Sequence, residues 1–362
     1  RNHVARVSPT GALDTDFRPD VNGRLRSLMV QADGKIIAGG SFTSVGGETR
    51  SGLVRLTPTG QVDTSFKVVV NGGVVSAVQQ SNEKLIIAGA FTVVNGVSRR
   101  YVARLNLDGS LDADYNPSPN GQVNALLLQS DGALLMGGSF SALNPASTTE
   151  AVARNYLARI KTDGTLDTAY TAQASDIVWG LAGQTDGKVI VVGAFTSVLP
   201  TGATTTTTRY GVARLETDGK LDTVFNPNVN GTVYAVAVQP ADGKVILGGN
   251  FLQLAPNAAT TVTSRNRIAR VNADGTLDAA FDPNIDNVVT AIALQSNGMI
   301  VVAGGFSSVK PAGGPTDGYS RNYVARLNAD GTLDDTFNLY LDVTPGNQVV
   351  ALAITSDQKI LI

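Results

Sequence analysis

The chain has 362 residues, with 28 basic against 30 acidic side chains, a net charge of -2 and no cysteine. This balance, without a block of like charge, argues against a nucleic acid partner or an anionic membrane surface. The missing cysteines exclude disulfides and thiolate metal sites, and no apolar run reaches the roughly 18 residues of a spanning helix, so no transmembrane segment is expected.

In chain order, the first element is Arg1-Asn2-His3-Val4-Ala5-Arg6-Val7, a strand that opens a recurring segment. Its arginine returns at Arg55, Arg104, Arg159, Arg214, Arg270 and Arg326, at steps of 49, 49, 55, 55, 56 and 56. A period near 50 is the signature of propellers or solenoids. Solenoid rungs are usually shorter, which favours the propeller. Each repeat reads as four short strands, A to D, separated by turn signals.

The third repeat shows the pattern. Strand A is Val123 to Gln129 and strand B is Ala133 to Phe140; after a longer loop, strand C is Tyr156 to Ile160 and strand D surrounds Leu166 to Tyr170. Ser130-Asp131-Gly132 joins A to B, and Asp163-Gly164 joins C to D. Asp-Gly between apolar runs predicts a type I′ hairpin. Blades are expected at 24–66, 74–115, 123–170, 177–225, 233–281 and 288–337, with a seventh split between 349–362 and 1–17. Pairing the split halves would close the ring and remove exposed sheet edges. The expected fold is therefore all-β, a single β-propeller over 1–362 with seven four-stranded blades. Strand B of the split blade stops at Ile362, before the Gly-Gly-x-Phe seen in other copies, so the natural chain is expected to continue. Residue 1 already lies inside a repeat, so no signal peptide is expected within this stretch.

Ala-Arg-Leu-Asn-x-Asp-Gly-x-Leu-Asp-x-x-Phe is clearest at Ala325 to Phe337, Ala269 to Phe281 and Ala103 to Tyr115. The second half, running to Gly-x-Phe, is clearest at Val233 to Phe251. Together these motifs resemble the delta-60 repeat family of bacterial β-propellers. The resemblance implies a secreted or cell-surface bacterial protein, and it brings neither an assigned activity nor catalytic residues.

The repeats also differ among themselves. From each arginine to the next Gly-x-Phe aromatic the distance is 36 residues in five cases and 37 in one, whereas from that aromatic to the next arginine it is 13, 13, 19, 19, 19 and 20. Length variation is thus confined to the B–C loops, including Ser141 to Asn155, Ser197 to Tyr210, Gln253 to Asn266 and Ser307 to Asn322. Insertions are tolerated on loops, and binding residues concentrate there. On strand A, the position four before a recurring glutamine is always small: Ser27, Ser76, Ala125, Gly180, Ala235 and Ala291. The position before that is unconstrained: Arg26, Val75, Asn124, Trp179, Tyr234 and Thr290. In a propeller it would ring the mouth of the channel on the long-loop face. Arg26, Asn124, Trp179, Tyr234 and Thr290 are therefore the candidate binding residues, suited to a glycan, peptide or protein partner. Inter-blade packing is the alternative role for Trp179 and Tyr234.

The recurring aspartates Asp14, Asp63, Asp112, Asp167, Asp222, Asp278 and Asp334 repeat with the arginines, which points to structural pairing or turn capping rather than catalysis. Asp14/Asp16 and Asp112/Asp114 allow a calcium site but fit turn chemistry more simply. His3 is the only histidine, so His-based triads and zinc sites are absent and no metal or other cofactor is expected. Asn230-Gly231-Thr232 matches a glycosylation sequon but, in a bacterial protein, is read in preference as a turn. The leading reading is a non-enzymatic exported binding module. A polysaccharide lyase or hydrolase working in the channel and a structural spacer in a longer surface assembly are the alternatives.

Overall fold

Each middle strand is a short apolar run buried along nearly its whole length, as expected for a strand covered on both faces. That burial comes from stacking one sheet on the next. The computed structural model describes residues 2–145, 150–341 and 348–362. Two compact units are present: Arg1–Val7, Leu13–Gln173 and Thr355–Ile362 form one, and Ser8–Ala12 with Ala174–Ile354 form the other.

The first unit holds three antiparallel blades. Blade 1 orders Arg24–Val30, Ile36–Ser41 and Leu53–Leu56; blade 2 orders Val74–Gln79, Leu85–Gly89 and Val102–Leu105; blade 3 orders Val123–Leu128, Leu134–Gly138 and Leu157–Ile160. Arg6–Val7 pairs antiparallel with Ile360–Leu361 in the same unit. The second unit holds blade 4 (Val178–Gly183, Val189–Gly193, Val212–Leu215), blade 5 (Thr232–Val238, Val245–Asn250, Ile268–Val271) and blade 6 (Val289–Leu294, Ile300–Gly304, Val324–Leu327). Within each unit the first, inner strand of a blade packs on the inner strand of the next. The strand D aromatics sit where blades meet: Tyr115 packs with Ile86 and Ala88 of blade 2, and Phe225 with Ile190 and Val192 of blade 4.

Three expectations change. The fourth strand shrinks to single bridges such as Leu105↔Leu111, Ile160↔Leu166 and Leu215↔Leu221. The aspartate beyond each bridge turns the chain away, as when Asp63 Oδ1 accepts the Ser65 N–H at 3.0 Å. Second, the B–C connections are not plain loops. They carry two-residue β-ribbons, such as Ser44–Val45 with Glu48–Thr49 and Gln253–Leu254 with Thr263–Ser264. Residues 146–149 of the Ser141 to Asn155 loop, and Arg1 of the first strand, lie outside the described residues. Third, the Asp-Gly turns are not type I′. At Asp33-Gly34 only the glycine has positive φ, at 82°, while Gln31 and Lys35 close the hairpin, which is a type I turn followed by a left-handed residue.

A β-bulge sets the rest of the blade. The inner strand shifts register between Val178 and Gly180, pairing them with Gly193 and Val192, and the same shift occurs in the other five blades. The bulge presses the preceding carbonyl onto the middle strand. A Cβ on Gly193 would lie 2.2 Å from the Ile177 oxygen, and one on Gly138 would lie 2.2 Å from that of Gln122. The glycine of Gly-x-Phe is therefore a steric requirement of the bulge. The small residue after the bulge faces a compact partner, as in Ala125↔Gly137 and Ala235↔Gly248; where the partner is Val192, the inner strand has Gly180.

Candidate binding face

The recurring Arg–Asp motif is a fastener rather than a reactive pair. Arg55 Nε donates to Asp63 Oδ2 at 2.8 Å, its guanidinium lies 4.6 Å above the Phe66 ring, and Nη1 donates to the Leu107 carbonyl of the next blade at 2.9 Å. Arg104 repeats this with Asp112, Tyr115 and the Thr162 carbonyl, and Arg270 with Asp278, Phe281 and the Ala329 carbonyl. A lysine opening the middle strand often joins: Lys84 reaches Asp112 at 2.6 Å, Lys188 reaches Asp222 at 2.8 Å and Lys244 reaches Asp278 at 2.9 Å. Blade 3 has Ala133 at that position, and there Arg159 also engages Gln129 and Asp131. Burial alone would raise the Asp222 carboxyl, but hydrogen bonds from Lys188 and Arg214 outweigh it and bring it down to about 2. Asp14 and Asp112 are likewise spent on arginine and on their own turns. Among the described residues no group of three or more His, Asp or Glu side chains is placed to hold a metal ion.

The candidate residues share one structural position. Arg26, Asn124, Trp179, Tyr234 and Thr290 are each the extra residue of an inner-strand bulge. Bulges re-aim a side chain without disturbing the ladder around it. Each stands at the start of its strand, opposite the end of the middle strand from which the B–C ribbon departs. In the second unit, Trp179 and Tyr234 of neighbouring blades meet edge to face, with centroids 5.7 Å apart and planes at 64°. Thr290 turns its hydroxyl inward, donating to the Val349 carbonyl at 2.6 Å. In the first unit, Arg26 is exposed and Asn124 half-buried, accepting from Gln122 at 2.8 Å; the inner strand of blade 2, bearing Val75, runs between their strands. Burial, followed by the charge of Arg26, holds the Arg24 guanidinium below its usual range.

Three further series follow the repeat, each within its own blade and beside its B–C ribbon. Asn22, Asn71, Asn120 and Asn230 each accept two backbone N–H groups from the following ribbon; for Asn230 these are Leu252 and Gln253, at 2.9 and 3.0 Å. The sequon asparagine is thus a clasp between two connections. A second arginine series, Arg50, Arg99, Arg154, Arg209, Arg265 and Arg321, stands five residues before the first and escaped the sequence reading. From Arg99 onward these are nearly buried, with Arg265 Nη2 donating to the Ala279 carbonyl at 2.8 Å. Their constant spacing from the first series was the available signal. Finally, the residue three before each strand C arginine is left-handed in every copy: His3, Gly52, Tyr101, Tyr156, Gly211, Arg267 and Tyr323, with φ between 64° and 74°. For bulky residues this conformation is unusual, and it persists because the strand ladder on either side dictates it.

Residues 31–66, 80–115, 129–170, 184–225, 241–281 and 295–337 match one family, described as domain of unknown function (DUF5122) beta-propeller. No curated protein matches the chain in sequence. Among solved structures, the crystal structure of the WD40 beta propeller domain of Doa1 is similar with a TM-score of 0.59, over 99% of this chain and 95% of that one, at 16% identity. At that identity the likeness speaks for the fold alone. With both the matched repeats and the observed blades agreeing along most of its length, the chain belongs to the DUF5122 β-propeller family.

Proposed function

We propose that this chain is a non-enzymatic interaction module that engages its partner through the face carrying the B–C ribbons and the inner-strand bulges. One observation carries the reading. The bulge fixes the glycine, the small residue and the apolar neighbours of each blade, yet leaves its own side chain free to be Arg26, Asn124, Trp179, Tyr234 or Thr290. A position held rigid by its surroundings and varied in chemistry is suited to recognition, and rigid display lowers the ordering cost of binding. In the second unit the half-buried aromatic pair supplies flat apolar surface, and in the first unit the exposed Arg26 supplies a charge-directed contact.

As a finer reading, the chain is one domain of the delta-60 type, a seven-bladed ring at a bacterial surface. Pairing of Arg6 with Leu361 and of Val7 with Ile360 supports the closing blade. So does the Arg326 guanidinium, which donates to the Pro9 carbonyl. Binding of the purified chain to arrayed glycans and to immobilised surface proteins tests the function. Trp179→Ala and Tyr234→Ala should each weaken capture at least tenfold. Unchanged capture in both removes the proposed site.

A further inference from the structure

The left-handed position before each strand C gives this face a feature beyond the bulges. Within the second unit, blades 5 and 6 fill that position with Arg267 and Tyr323, but blade 4 has Gly211. Beside Gly211, between blades 4 and 5, lies a groove of about 460 Å³. That size is within the range that takes a small ligand. Its rim carries Tyr210 and Val262, which are 46% and 59% exposed although both are largely apolar.

The groove's chemistry narrows the ligand. No Asp, Glu, Lys or Arg lines it. Its polar groups are amides and hydroxyls, among them Thr196, Asn228, Thr232 and Gln253. Asn228 spends its Nδ2 on the Ala255 carbonyl at 3.2 Å. Among the described residues the hydroxyls of Thr196 and Thr232 and the Nε2 of Gln253 donate to no protein group. A charged ligand would lose hydration here without a counter-charge, and a wholly apolar one would cover these donors unpaired. An extended peptide would need an open strand edge. The nearby backbone is already paired: Gln253↔Ser264, Leu254↔Thr263, Val229↔Leu254, and the Gly211 N–H to the Phe195 carbonyl at 2.9 Å.

We propose that the groove beside Gly211 is a subsite for a neutral sugar ring, whose C–H face packs on Tyr210 and Val262 while its hydroxyls meet Thr196, Thr232 and Gln253. This rests on the reading of the long-loop face as the binding face and names a ligand class for part of it. The combination of exposed apolar side chains with uncharged hydrogen-bonding groups suits the mixed C–H and hydroxyl surface of a pyranose.

The test is calorimetry of the purified chain with a panel of neutral hexasaccharides: cellohexaose, maltohexaose, mannohexaose and chitohexaose. Hexagalacturonate serves as the charged comparison, and an uncharged hexapeptide as the peptide arm. At least one neutral hexasaccharide should bind. Gly211→Tyr installs the residue found at Tyr101, Tyr156 and Tyr323 and should weaken binding at least tenfold. A Cβ at Gly211 would lie 2.9 Å from the Gly231 oxygen. Tyr210→Ala is therefore the second variant; it removes only an exposed ring and should also weaken binding at least tenfold. Leu107→Ala, at an exposed residue that belongs to neither the groove nor the bulges, should leave hexasaccharide binding unchanged. Silence of the sugars while capture of surface proteins still depends on Trp179 and Tyr234 would mark failure of this groove and not of the wider reading. Silence of all four neutral sugars at millimolar concentration overturns the proposal. So does binding that survives both groove variants, or a preference for hexagalacturonate or the peptide.

Discussion

Replacing Asp222 by Asn probes the fastener that joins blade 4 to blade 5. Asp222 Oδ2 accepts Arg214 Nε at 2.9 Å and Lys188 Nζ at 2.8 Å, while Oδ1 accepts the Val224 and Phe225 N–H groups at 3.1 and 3.3 Å. The amide can keep the backbone contacts through Oδ1. Its Nδ2 then faces two cations that it cannot satisfy, and the Arg214 side chain is only 9% exposed. Breaking such a buried pair costs about 3 kcal/mol. The pH dependence gives a second route to the size. Lowering from 3.8 to about 2 corresponds to about 2 kcal/mol of stability. Because the folded value lies below the unfolded one, this contribution is complete above pH ~4 and disappears as pH falls through about 2. Denaturant unfolding of both proteins between pH 7 and pH 2 should therefore show a wide gap at neutrality that narrows below pH ~4. Lys188→Met is the internal comparison. That lysine is 25% exposed, and blades 3 and 6 carry Ala133 and Met299 in its place, so its loss should cost less than about 1 kcal/mol. A cost below about 1 kcal/mol for Asp222→Asn, or a gap that does not change with pH, refutes the fastener.

Gly193→Ala should destabilise by roughly 3 kcal/mol or prevent folding, since its Cβ would meet the Ile177 oxygen at 2.2 Å; near-wild-type unfolding would mean that the bulge can relax. Asn230→Ala removes the acceptor for the Leu252 and Gln253 N–H groups and should cost about 1–2 kcal/mol, read by denaturant unfolding, with faster hydrogen exchange at those two amides. Acid unfolding of the whole chain should begin below pH ~4, because Asp14, Asp63, Asp112, Asp278 and Asp334 are, like Asp222, held below the ordinary carboxylate range; a transition unchanged across that window counts against these pairs.

Much of the architecture was legible in the repeat. The period near 50, the buried middle strands and the strand C arginines all recur in phase, and recurrence separates packing from accident. The candidate positions were also legible, because one varying residue stood between constant ones. Their geometry was not. That Trp179 and Tyr234 touch, while Thr290 turns inward to Val349, depends on how neighbouring inner strands pack. The arginine series from Arg50 to Arg321 was present in the spacing and was missed, because a buried arginine looks like a surface one until its carbonyl partners are known.

The sequence by itself determined the blade, since local periodicity, turn glycines and cross-strand compactness are written within about 50 consecutive residues. Tertiary structure alone decided what lies between blades. The arginine contacts from one blade to the next span 52 to 59 residues for Arg55 and Arg270. The groove lies beside Gly211, at the position that Arg267 and Tyr323 occupy in blades 5 and 6. Such features arise where surfaces distant in the chain are brought together, so their physics has no local signature to read.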